Sequence, residues 1–170
     1  MDELDTREAR PQVLAAIDEL LITGAVTSVH YAGYAHESVF RLLHRHLGTA
    51  FSVMDFADRY HTGVEFFWEE ADGDYPYPHR PDWLEGVLFY QEGVPNADLL
   101  IWDMPCSHPG QLAAIIDRSI ASHHQPTHLF LVDEACSEAS HPAYSWAMFP
   151  FYALGTLKSA PIPAPAGWLP

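Results

Sequence analysis

Lysine is nearly absent. One occurs, Lys158, and Lys plus Arg total 8 against 23 Asp plus Glu, a formal net charge of −15 with His neutral. Such a surface repels phosphate backbones, which argues against direct nucleic-acid binding. Cysteine is scarce as well: Cys106 and Cys136 are the whole set. Two cysteines cannot frame a disulfide-rich scaffold, so both are expected as reduced thiols. No apolar run is long enough to cross a bilayer, which argues against a membrane protein. The opening MDELDTREAR is acidic and has no apolar h-region, so it does not read as a secretory signal. A cytoplasmic location is expected.

Nucleotide and metal motifs are missing too. The sequence has no Gly-rich phosphate loop with lysine, no G-x-G-x-x-G and no H-E-x-x-H. MPCSH echoes the cysteine arm of zinc deaminases but lacks the second cysteine of P-C-x-x-C. The chain has 11 histidines, among them His30, His36, His44, His46, His108, His123, His124 and His128. His44 and His46, two apart, diverge on a helix, so ordinary surface or half-buried roles are expected rather than a metal set. Neither cofactor nor metal is expected.

What is present suits one ordinary domain. Of the 170 residues, 48% are apolar and 18% charged, enough for a real core. Val13, Leu14, Ile17, Leu20 and Leu21 recur at helical spacing, and Gly24 closes that helix. Val26–Tyr31 reads as a strand, HESVFRLLHRHLG as a second helix, and Ala50–Phe56 as another strand. VEFFWE, GVLFYQ and Asp98–Met104 are three successive strand-like runs, which suggest an antiparallel meander. LLIW is apolar on both faces, as an internal strand would be. SHPGQLAAIIDRSIASHH reads as a helix and Thr127–Glu134 as a strand. The Ala, Tyr, Trp and Met content after Pro142 suggests a last helix, interrupted near Pro150. The fold expected is α+β or mixed α/β. It is one domain over 1–157, with a mostly antiparallel central sheet packed by three to four helices. Residues 158–170 form a Pro/Ala-rich tail.

Two clusters carry possible function. In the first, Glu65, Phe67, Glu69, Glu70, Asp72, Asp74, Tyr75, Tyr77, Asp82 and Trp83 mix carboxylates with rings across a Pro-containing loop. Carboxylates steer a basic partner and rings supply a desolvated centre. In size, charge and lack of a catalytic motif, the chain looks like the class of bacterial immunity proteins that neutralise toxins. That likeness implies an acidic protein-binding module, a stoichiometric inhibitor of a basic toxin or enzyme. A homodimer or structural oligomer built on the same rings is a further reading.

The second cluster sits at strand ends. Asp133 and Glu134 close one strand, with Cys136 and His141 following; Asp103 closes another, with Cys106 and His108 following. If those strands are neighbours, all seven residues meet at one sheet edge. A cysteine with a histidine and an orienting acid there would make a thiol- or metal-assisted enzyme.

Overall fold

The computed structural model describes residues 9–33, 36–55, 82–90, 97–104, 110–121 and 125–158. The Glu65–Tyr77 part of the acidic-aromatic cluster, Cys106, His108, and all of the expected tail but Lys158 lie outside them. In chain order the elements are α1 (Pro11–Ile22), β1 (Val29–Gly33), α2 (Glu37–Leu47), β2 (Phe51–Asp55), a 3-10 turn (Asp82–Leu84), β3 (Leu88–Tyr90) and β4 (Leu99–Asp103). There follow α3 (Gln111–Ala121), β5 (His128–Val132), a 3-10 segment (Asp133–Glu138), β6 (Tyr144–Met148) and β7 (Tyr152–Leu157).

The strands form one mixed sheet of seven, ordered β3-β2-β1-β4-β5-β7-β6. The pairs β3–β2, β2–β1, β1–β4 and β4–β5 are all parallel, and β7 runs antiparallel to both β5 and β6. The expected antiparallel meander is therefore wrong. β3 joins β2 at one edge, whereas β4 crosses over to the far side of β1. The burial pattern carries the reason. β1 and β4 are buried at every position, as strands covered on both faces must be.

Two crossovers start from the middle of this sheet and diverge. β1–α2–β2 moves one way and β4–α3–β5 the other. Crossovers of one hand then place α2 and α3 on opposite faces. The core divides accordingly. Val13, Ile17 and Leu21 of α1 and Val39, Phe40 and Leu43 of α2 pack on Val29, Tyr31, Val53, Leu99, Ile101 and Phe130. Leu112 and Ile116 of α3 pack on Ala32, Leu100, Trp102, Leu129 and Leu131. Each such fully buried side chain stabilises the fold by about 1.5–3 kcal/mol in transfer terms. His46 Nε2–H donates to Asp18 Oδ1 at 2.7 Å and ties α2 to α1.

The segment after Pro142 is a β-hairpin, not a helix. Residues 149–151 turn between β6 and β7, so Pro150 sits where no ladder hydrogen bond is lost. Trp146 faces Gly155 across the pair. A Cβ on Gly155 would come within 2.7 Å of the indole, so the glycine makes room for the ring. Ala and Met content suggested a helix, and this cross-strand fit overrides it. No helix among the described residues is long and apolar enough to cross a membrane.

Candidate functional site

In an open parallel sheet, ligands bind beyond the carboxyl ends of the strands, where neighbouring crossovers diverge. Here that point lies between β1 and β4. Register sets what stands there: Gly33 is paired with Asp55 at the end of β2 and with Asp103 at the end of β4. Two acids thus flank one glycine in a single row across three strands.

The β4 side of this row is tightly built. Tyr31 Oη–H donates to Asp103 Oδ2 at 2.8 Å. His36 Nδ1 lies 2.9 Å from the same oxygen. Tyr31 Oη in turn accepts the His36 backbone N–H at 3.5 Å, a long contact. All three side chains are buried. His36 is the N-cap of α2 and gives it no side-chain cap, so the Asp103 cluster is what fastens the start of α2 to the sheet. Gly33 allows this closeness. A Cβ there would lie 2.7 Å from both Cβ and the carbonyl oxygen of Asp103.

A short strap closes the α1 side. Ala9 N–H donates to Ser38 Oγ at 3.4 Å, and the next residue, Arg10, donates through Nε to Asp133 Oδ1 at 3.3 Å. Residues 9 and 10 therefore span from the first turn of α2 to the end of β5. Deeper in the sheet, His30 Nδ1 and Ser52 Oγ form a hydrogen-bonded pair at 2.7 Å. Burial pushes the His30 imidazole down to about 4, against the opposing pull of Ser52.

β4 and β5 are neighbours, so Asp103 and Asp133 do reach one edge of the sheet. The remaining described members of that expected cluster point elsewhere. Cys136 Sγ–H donates to the Leu131 carbonyl oxygen at 3.6 Å. Burial, then the Asp133 charge, push its thiol up, the opposite of an activated nucleophile. His141 Nε2–H donates to Asp117 Oδ1 at 2.7 Å, and its Nδ1 accepts from Ala143 N–H at 3.1 Å. Glu134 is exposed. Among the described residues no three His, Cys, Asp or Glu side chains converge as a metal set.

Of the acidic-aromatic cluster, Asp82 begins the 3-10 turn and Trp83 lies on α2, partly buried against the core. The Arg41 guanidinium sits 4.7 Å over its ring and His44 meets it edge-on at 5.3 Å. Gly33, Tyr31 and Asp55 were not singled out from the sequence, and His36 entered only among the histidines set aside as metal ligands. The available signal was an acid closing a strand about 20 residues after a glycine closing another, the spacing of ribose-binding acids in doubly wound folds.

No protein-family model and no curated protein matches the sequence. Solved structures do match in fold. A methyltransferase from Geobacter sulfurreducens superposes with a TM-score of 0.52 at 13% identity, covering 88% of this chain and 80% of its own. A SAM-dependent O-methyltransferase from Thermotoga maritima superposes with a TM-score of 0.52 at 11% identity, covering 91% of this chain and 68% of its own. The immunity-type inhibitor of a toxin expected from charge and size is overturned by this likeness: the chain has the Rossmann-like fold of methyltransferase structures.

Proposed function

We propose that the chain is an S-adenosylmethionine-dependent methyltransferase acting at the carboxyl edge of its sheet. The observation that carries this reading is the row Asp55–Gly33–Asp103 at the point where the crossovers diverge. The fold shared with methyltransferase structures supports it.

The donor set suits an adenosyl sulfonium better than a dinucleotide. Dinucleotide sites need several glycines after β1 so that the backbone can approach a pyrophosphate. This chain has one glycine there, in AGYAHE. S-adenosylmethionine has no phosphate and carries a sulfonium cation. Asp55, which closes β2 in register with Gly33, is the acid that would take the ribose hydroxyls. When bound, this cofactor supplies an electrophilic methyl group. Asp103, whose carboxylate holds Tyr31 and His36 in place, would add negative potential to a site for that cation.

The test is a calorimetric titration of the protein with S-adenosylmethionine and S-adenosylhomocysteine, repeated on Asp55→Asn. Binding of both ligands, weakened roughly tenfold or more by the substitution, supports the reading. Absence of binding, or equal binding to NAD and S-adenosylmethionine, contradicts it.

A further inference from the structure

A second cluster stands on the same rim, two strands away from the switch point. Phe130, Tyr152 and Phe149 stack as a column. Ring centroids are 4.9 Å apart at 8° for the first pair and 4.7 Å apart at 15° for the second. Phe130 is fully buried and Phe149 is 43% exposed, so the column runs from the core to the rim. Two residues after Phe149 in the hairpin turn, Phe151 carries the Arg10 guanidinium 4.2 Å from its ring centroid. Arg10 is also paired with Asp133, with side chains 48% and 38% exposed.

Asp133 is held in an unusual shape. Its φ is +52°, a region that side-chain-bearing residues adopt rarely and that recurs at functional positions. Its N–H donates to the Phe151 carbonyl oxygen at 3.0 Å, which locks the hairpin turn to the end of β5. The result is a guanidinium that sits over one ring and pairs through its Nε edge with a protein carboxylate, at a hairpin turn that also carries the exposed Phe149. A flat ring surface and a planar cation together fit a planar anion.

We propose that Arg10 and the Phe149–Phe151 rim bind the methyl acceptor, and that the acceptor is an aromatic carboxylate. Its ring stacks on the exposed aromatic surface, and its carboxylate takes the place on Arg10 that Asp133 holds in the free protein. The inference rests on the methyl-transfer reading for the role of the bound molecule.

The test titrates the intact protein, without cofactor, with benzoate, cyclohexanecarboxylate and benzylamine. Benzoate is expected to bind, more tightly than cyclohexanecarboxylate, and benzylamine not to bind. Arg10→Gln is expected to weaken benzoate roughly tenfold or more, and Arg10→Lys to retain part of the affinity. Asp133→Asn keeps a residue that tolerates the left-handed backbone and removes the competing charge, so benzoate binds more tightly. Thermal unfolding of each variant separates lost binding from lost fold. Preference for benzylamine, unchanged benzoate affinity in Arg10→Gln, or no saturable benzoate binding overturns the proposal. A parallel S-adenosylmethionine titration keeps the two readings apart. Its failure with benzoate binding intact removes the methyl-transfer reading and leaves the rim site standing.

Discussion

Tyr31 and Asp103 lie 72 residues apart in sequence and meet through a 2.8 Å hydrogen bond at the centre of the sheet's carboxyl edge. The bond joins the two strands between which the crossovers diverge. It also sets the shape of the proposed cofactor crevice, because His36 at the start of α2 leans on the same carboxylate. Tyr31→Phe removes one hydrogen bond to a charged group and is expected to cost about 1.5–3 kcal/mol. Denaturant unfolding measures it. A cost near zero would show that the carboxylate is held by other means.

Gly33 is expected to tolerate no side chain. An added Cβ meets the backbone carbonyl oxygen and Cβ of Asp103, neither of which can swing away as a long side chain would. Gly33→Ala should destabilise by about 1–3 kcal/mol, the usual cost of overpacking. An unfolding midpoint equal to wild type would contradict the close approach of β1 and β4.

Stability should fall with acid through His30. Its imidazole titrates near its ordinary 6.5 when unfolded and near 4 when folded. Between those values the unfolded state binds more protons, so stability rises with pH and is lost as pH falls from 6.5 towards 4. The full loss is about 3 kcal/mol. His128, also lowered by burial, adds to the slope in the same direction. Unfolding free energy measured across this window should flatten in His30→Gln. An unaltered slope would show that His30 is not the group responsible.

Cys136 should be a slow thiol. Burial and the Asp133 charge both disfavour its thiolate. Alkylation at neutral pH should therefore run slower in the native protein than in the unfolded chain. A Cys136 that reacts faster when folded would restore a nucleophilic role to it.

Much of the local structure was legible in sequence, and the long-range pairing was not. The apolar spacing of Val13, Ile17 and Leu21 marks α1, and the doubly apolar LLIW marks β4 as internal. Its neighbours are a different matter. Nothing in LLIW says that it pairs with Val29–Gly33 rather than with Leu88–Tyr90, because parallel partners are chosen by crossovers and not by adjacent turns. The hairpin at 144–157 was misread because composition favoured a helix, while the deciding contact, Trp146 on Gly155, is cross-strand. Asp103 and Asp133 could be foreseen at one edge because both close strands. Asp55 closes a strand as well, but its proposed role depends on Gly33 lying beside it, which only the register reveals.

The most direct measurement is an amide NMR titration of the protein with S-adenosylmethionine. Shifts centred on Gly33, Asp55 and Asp103–Met104, with the β6–β7 hairpin ladder unmoved, are the result expected of a cofactor at the switch point. Shifts confined to other surfaces, or none at millimolar ligand, would contradict the account.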